Sequence, residues 1–138
     1  MKYIALLFSL FFSLLAGDKH MNEPYLKNIY LMGNTAIKLN FSERMSQVGL
    51  LNFENYVLTG SKQTGIDHYT TRTLTIGSIE SVLGESEKTV IVINFVEPLE
   101  YFETILVSVV GVKNSSGITI NLDRNSFNDK SFSPPLLI

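Results

Sequence analysis

The sequence has 138 residues, of which 45% are hydrophobic and 17% charged, with a formal net charge of −2 and no cysteine. This length suits one domain, and the composition is that of a chain that folds around a core. A mildly acidic chain without clusters of Lys or Arg has little to offer a phosphate backbone, so we expect no nucleic-acid partner. The absence of cysteine excludes disulfides, thiolate zinc sites and cysteine nucleophiles.

The first 17 residues have the three-part layout of a secretory signal peptide. Lys2 provides the positive start, the stretch from Ile4 to Leu15 is apolar apart from two serines, and Ala16-Gly17 provides the small residues before a cleavage site. We expect cleavage after Ala16 or Gly17, followed by a flexible mature N-terminus over residues 18–24. The chain is therefore predicted to be exported, and to be secreted, periplasmic or at the cell surface.

Two other interpretations of this apolar run are weaker. A membrane anchor is disfavoured because the run is shorter than the roughly 20 residues that span a bilayer, so no stable membrane span is expected after cleavage. A buried helix or strand is disfavoured because Phe8, Phe11 and Phe12 lie on all sides of the run and give no amphipathic period. Asp18 stands where a bacterial lipoprotein signal requires cysteine, which excludes lipid attachment by that route.

From residue 25 onward the apolar residues follow a period near two, which is typical of β-strands. Ile37, Leu39 and Phe41 alternate with polar neighbours, which predicts a half-buried strand. The run from Thr89 to Val96 (TVIVINFV) is rich in β-branched residues, which predicts a central strand buried on both faces. Further strands are predicted over residues 26–32, 53–58, 79–83, 104–112 and 118–122.

The segments between and after these strands contain turn and edge signals. The stretch 61–75 is either an extended loop or an edge strand, because its Thr and Tyr residues favour a pleated surface. Gly60 and Gly117 are predicted to supply positive φ in turns, and Tyr56 to bury its ring while its hydroxyl finds a partner. Residues 124–138 are predicted to be a polar, proline-containing tail. Seven or eight short strands separated by turns predict an all-β sandwich.

Three segments carry a resemblance to a known family. They are residues 37–45 (IKLNFSERM), residues 52–60 (NFENYVLTG), and residues 89–117, which end in GVKNSSG. In this order and spacing they resemble the bacterial immunoglobulin-like domains of S-layer-type surface proteins. Arg44 stands where that family usually has proline, and Asn114 where it has aspartate.

This resemblance implies an immunoglobulin-like Greek-key sandwich over residues 25–123, with no catalytic residue to carry over. Domains of this type are modules of surface and secreted proteins, so the expected function is non-catalytic. It is surface adhesion, protein or glycan binding, or service as a structural spacer. Neither a cofactor nor a metal is expected, and the sequence leaves the oligomeric state open.

The alternative function is a small secreted or periplasmic hydrolase. Glu97, Glu100 and Glu103 bracket a turn between two predicted strands, and His68 adds a titratable group. The simpler interpretation is a solvated turn that discourages edge pairing. His68 also follows an aspartate directly, and neighbouring residues of a strand point to opposite faces, which makes a poor acid–base pair.

Two further groups of residues are candidates for binding. Tyr69 and Arg72 lie in the possible edge strand and are of the types enriched at protein interfaces, so they are the predicted binding residues. Four oxygen-bearing residues near the C-terminus invite a calcium interpretation, although the spacing and glycine of an EF-hand are absent; they are Asp123, Asn125, Asn128 and Asp129.

Overall fold

The computed structural model describes residues 23–130, so the predicted signal peptide 1–17 and most of the predicted flexible segment 18–24 lie outside the described residues. Within this range the chain forms eight strands and two short 3-10 helices, Phe53–Asn55 and Glu85–Glu87. The strands are β1 (Leu26–Met32), β2 (Ala36–Phe41), β3 (Tyr56–Gly65), β4 (His68–Thr73), β5 (Ile76–Leu83), β6 (Thr89–Phe95), β7 (Thr104–Val109) and β8 (Ser126–Lys130).

The strands form two four-stranded antiparallel sheets that pack face to face as a β-sandwich. The strand order is β1-β2-β6-β5 in the first sheet and β4-β3-β7-β8 in the second. The chain changes sheets after β2, after β4 and after β6, so each sheet contains strands from both halves of the sequence. This is the all-β sandwich that the strand pattern predicts.

The two central strands of the first sheet follow the predicted patterns closely. In β2, Ile37, Leu39 and Phe41 are buried, as the alternation predicts. In β6, Ile91 and Ile93 are fully buried on the inner face, whereas Val92 on the outer face is half-buried. The strand is therefore central, but its outer face is only partly covered.

The core fills the space between the two sheets. Each fully buried aliphatic or aromatic side chain contributes about 1.5–3 kcal/mol, so a core of this kind stabilises the sandwich without a disulfide. The largest fully buried side chains are those of Phe41, Leu26, Ile37, Leu39, Met45, Leu50, Leu58, Ile91, Ile93, Ile105, Ile120 and Val107.

Tyr56 anchors a loop to the start of β3. Its ring is buried in the core, and its hydroxyl donates a hydrogen bond to the carbonyl of Leu50. Burial raises the pKa of the hydroxyl, so the group acts as a donor throughout the physiological range. This arrangement confirms the predicted role of Tyr56 and closes the loop that precedes the strand.

The sandwich extends past both ends of the predicted domain, 25–123. Pro24 is buried, and its carbonyl accepts a hydrogen bond of 2.8 Å from the Asn121 amide. Strand β8 lies inside the predicted tail 124–138 and pairs with β7. It escaped prediction because a short edge strand needs few apolar residues, and Phe127, which lies opposite Val107, is the one apolar residue of β8.

Residues 118–122, predicted as a strand, form only an isolated β-bridge, between Thr119 and Lys113. Ile120 is buried, and its amide donates to the carbonyl of Val112 at 2.9 Å. The side-chain oxygen of Asn121 accepts from the Asp123 amide at 2.8 Å and turns the chain. Of the apolar residues that alternate here, Ile120 is buried but Leu122 is 69% exposed, so the alternation does not correspond to a strand with one buried face.

The stretch 61–75 forms the end of β3, a hairpin turn and β4, which is the edge strand of the second sheet. The edge-strand alternative is therefore confirmed. Gly117 has the predicted positive φ, at 83°. The same prediction is wrong for Gly60, which lies within β3 and needs to be glycine for reasons of space.

Two of the segments that resemble surface-protein domains meet at one end of the sandwich. Met45 forms an isolated β-bridge with Asn114. The Asn114 side chain is buried; its nitrogen donates to Glu43 at 2.8 Å, and its oxygen accepts from the amides of Ser116 and Ile118. One amide group therefore ties two turns together that are separated by about 70 residues of sequence.

We expect Asn114→Ala to lower the free energy of unfolding by about 2–3 kcal/mol, because two backbone amides and a carboxylate lose their partner. Denaturant unfolding of the variant measures this change. Ser115→Ala is the matched control, since the exposed Ser115 hydroxyl makes only a long 3.4 Å contact with the Arg44 carbonyl. Equal stability of the two variants would contradict the role given to Asn114.

Candidate functional site

The hairpin of β3 and β4 projects beyond the rest of its sheet. β3 has ten residues, but β7 pairs with it only from Tyr56 to Ser61. The remainder of β3 pairs with β4 alone, and the hairpin turn includes Asp67 with a φ of 58°. Because β4 is the edge strand, most of its residues are exposed. The predicted binding residues lie on this projecting element.

Arg72 links β4 to the turn between β6 and β7. Its Nε donates to Oε2 of Glu103 at 2.8 Å and its Nη2 to Oε1 of the same carboxylate at 2.7 Å. The guanidinium also donates to Oε2 of Glu97 at 3.0 Å and to the carbonyl of Pro98 at 2.9 Å. The bidentate pair is the strong geometry for arginine and carboxylate, so Arg72 clamps the edge strand to this turn.

Glu103 is a buried carboxylate, with 3% of its side chain exposed. Its Oε1 accepts a second hydrogen bond, from the Glu100 amide at 3.0 Å. The Arg72 guanidinium holds the pKa of Glu103 below its ordinary value of 4.5, against the opposing effect of burial. The same hydrogen bonds raise the pKa of Arg72, so both groups are charged at neutral pH.

Gly60 provides the space for this pair. A Cβ atom at Gly60 would lie 2.4 Å from Oε2 of Glu103 and 2.8 Å from its Cδ, closer than atoms can approach without movement. The carboxylate cannot swing away freely because Arg72 and the Glu100 amide hold it. Gly60 therefore meets a steric requirement inside a strand, where glycine is otherwise unfavourable.

The two predicted binding residues lie on opposite faces of β4. Tyr69 is 65% exposed on the outer face of the second sheet. Arg72 points to the inner face, and its guanidinium is engaged by the turn. A shared binding surface for both side chains would therefore have to wrap around the edge of the sheet.

The acidic residues of the hydrolase alternative are engaged in ion pairs. Glu97 and Glu103 bind the same arginine, and Glu100 forms an exposed ion pair with Lys62 at 3.1 Å. A small depression of 210 Å³ is lined by Lys62, Thr64, Thr70, Arg72, Glu100 and Glu103. His68 and Glu97 are not part of its lining. The interpretation of the turn as wholly solvated is wrong for Glu103, whose burial follows from its pairing with Arg72.

The four residues of the calcium interpretation are held by different parts of the fold. The Asn125 side chain donates to the carbonyl of Val109 at 2.8 Å, and Oδ2 of Asp129 accepts from the Leu31 amide at 3.4 Å. Asn128 and Asp129 are neighbours in β8 and so point to opposite faces. Within residues 23–130, no group of three or more His, Asp or Glu side chains is arranged to hold a metal ion.

Sequence reasoning missed the Arg72–Glu103 pair and the role of Gly60. The sequence signal for the ion pair was the isolated arginine in a threonine-rich strand, because an inward-facing arginine needs an acidic partner. The partner lies about 30 residues away, and the sequence contains three candidates for it, Glu97, Glu100 and Glu103. Only the fold distinguishes among them.

The structure is similar to domains of a bacterial S-layer protein. It matches the N-terminal part of the S-layer protein SbsC with a TM-score of 0.60 and 18% sequence identity, covering 83% of this chain and 24% of that chain. It also matches the S-layer protein rSbsC(31-844) and domains 1-6 of surface layer protein SbsC, each with a TM-score of 0.59, 18% identity and 14% coverage of that chain. At this identity the likeness establishes a shared fold.

The chain thus spans at most about a quarter of the length of the S-layer chains that it matches. Neither a protein-family model nor a curated protein sequence matches the chain. Among residues 23–130, no helix has the length and apolar composition needed to cross a bilayer.

We expect Arg72→Met to lower the free energy of unfolding at pH 7 by about 3 kcal/mol, because it leaves the buried Glu103 carboxylate unpaired. The lowered pKa of Glu103 means that the pair stabilises the protein above pH 4.5, and that this stability is lost as the pH falls through the lowered pKa. The difference in the free energy of unfolding between wild type and Arg72→Met should therefore become smaller at low pH. Denaturant unfolding from pH 7 to pH ~2.5 measures it.

Lys62→Met is the matched control, because it removes an exposed ion pair to the same turn. Such pairs are worth about 1 kcal/mol or less. A loss of stability at pH 7 that is equal for the two variants, or a difference for Arg72→Met that persists at low pH, would contradict the clamp.

Proposed function

We propose that this chain is an exported, non-catalytic immunoglobulin-like module that serves as a structural unit at the cell surface. The observation that carries the proposal is the likeness of the described sandwich to domains of an S-layer protein. A β-sandwich suits a part whose function lies in its shape and its surfaces. The predicted signal peptide supplies the export that such a location requires.

The strand order supports the immunoglobulin-like type. In immunoglobulin constant domains one sheet has the order A-B-E-D and the other contains C, F and G. The first sheet here, β1-β2-β6-β5, has the A-B-E-D order when its strands are lettered along the chain. The second, β4-β3-β7-β8, then corresponds to C′-C-F-G, where C′ is the added strand of the variable type. All the described pairings are antiparallel, as in that fold.

The arrangement of the acidic residues supports a non-catalytic function. A carboxyl group that acts as a general acid near neutral pH needs a raised pKa, and the pKa of Glu103 is lowered. Glu97 and Glu103 both pair with Arg72, in a contact that clamps the fold. The structural role of these residues explains their position without the hydrolase alternative.

The test of this proposal is the location and form of the full chain in the cell that encodes it. We expect a tag placed after Ile138 to be accessible to antibody on intact cells, or in the secreted fraction. Intact-mass measurement should find a chain that begins at Gly17 or Asp18. Both results follow from export and cleavage of the leader.

The matched control is Leu10→Arg, which places a charge in the middle of the apolar run and should retain the chain, uncleaved, inside the cell. If the C-terminal tag is exposed at the surface on a chain of full mass, residues 1–17 act as an uncleaved membrane anchor and not as a signal peptide. An uncleaved wild-type chain in the cytoplasmic fraction would sink the proposal.

A further inference from the structure

The outer edge of β4 presents an unpaired row of backbone groups. The Leu74 amide donates to the carbonyl of Leu58 at 2.8 Å, which sets the alternation of hydrogen bonds along the hairpin. Thr70 and Arg72 consequently bond to β3, and the backbone groups of Tyr69, Thr71 and Thr73 point away from it. No hydrogen bond from a described residue reaches these three residues.

The other sheet edges within residues 23–130 carry features that discourage pairing. β1 has a bulge between Leu26 and Asn28, and its Leu31 amide donates to Asp129 of β8. β8 has five residues and carries that aspartate.

β5 is interrupted by a register shift at Gly77 and carries Glu80. β4, by contrast, is regular from Tyr69 to Thr73. Its one Asp, Glu, Lys or Arg residue is Arg72, whose charge is directed inward and neutralised.

We propose that this edge pairs with the same edge of a second copy of the chain. The two β4 strands run antiparallel about a two-fold axis through Thr71, so that the second sheets of two copies join into one continuous sheet. Thr71 then lies opposite Thr71 of the second copy, and Tyr69 opposite Thr73. By the two-fold symmetry Thr73 also lies opposite Tyr69, and each of the three pairs exchanges two backbone hydrogen bonds.

The side chains favour this register over its neighbours. On the outer face it places threonine opposite threonine and tyrosine opposite threonine, both favourable cross-strand pairs. On the inner face it places Arg72 opposite Thr70. An axis through Arg72 would put two arginines opposite each other, and an axis through Thr70 would require Asp67, a turn residue with positive φ, to pair as a strand.

This self-complementarity is the reason to infer a second copy rather than a strand of another protein. The edge carries no unneutralised Asp, Glu, Lys or Arg side chain with which to select a foreign sequence, whereas its own sequence matches it in register. The inference rests on the edge alone and does not depend on where in the cell the chain acts.

The test is sedimentation velocity of the full chain, produced in an exporting host and studied as the host delivers it. Strand addition buries little surface. We therefore expect a monomer–dimer equilibrium with a dissociation constant between about 10 μM and about 1 mM. Thr71→Lys should weaken it at least tenfold, because the axis brings the two lysines together. Thr71→Glu should do the same, and an equimolar mixture of the two variants should recover the dimer.

Ser126→Lys is the control, since it places the same charge on the same outer face but on β8, away from the edge of β4. Circular dichroism establishes that all variants are folded. A wild type that stays monomeric throughout would overturn the proposal and leave the edge to a foreign strand. A Thr71→Lys variant that dimerises like wild type, or a mixture that stays monomeric, would overturn the register and with it the proposal.

Discussion

A carboxylate inside a small β-sandwich must be neutralised or it destabilises the fold, and Glu103 satisfies this condition through Arg72. The pair joins the edge strand β4 to the turn between β6 and β7, which carries the chain from the first sheet to the second. It exists because Gly60 leaves the space above β3 empty. Three residues far apart in sequence thereby determine how the projecting hairpin is held.

This constraint also determines what the hairpin can offer to other molecules. Because Arg72 is turned inward and neutralised, the edge of β4 presents backbone groups, threonines and Tyr69 in place of charge. Natural sheets usually protect such edges, and the remaining edges of the described sandwich are protected. A structural module that joins its neighbours through an edge has a reason to leave one edge unprotected, and this connects the proposed function with the proposed pairing.

The sequence predicted those parts of the fold that depend on local patterns. Alternation identified β2 and β6, because a strand with one buried face has apolar residues at every second position. Alternation failed for β8, which has one apolar residue and is held by its pairing with β7. It also failed for residues 118–122, where apolar residues alternate but only an isolated β-bridge forms.

The candidate site was only half predictable. The edge strand and its two candidate residues were identified, yet the period of two already places Tyr69 and Arg72 on opposite faces. The partner of Arg72 could not be found from spacing, since it depends on how β4 and the turn before β7 are brought together. The predicted partner-binding role of Tyr69 and Arg72 stays a prediction.

The most direct test of the account is amide hydrogen exchange in Gly60→Ala, which keeps both charged groups but fills the space that their pair requires. We expect the Thr70 and Arg72 amides, which bond to β3, to exchange at least about tenfold faster than in wild type, with a smaller change at Ile93 in the first sheet. Ser61→Ala, in the next position of β3, should leave them protected. Unchanged protection of Thr70 and Arg72 in Gly60→Ala would show that the pair does not hold the edge strand, and would contradict the account.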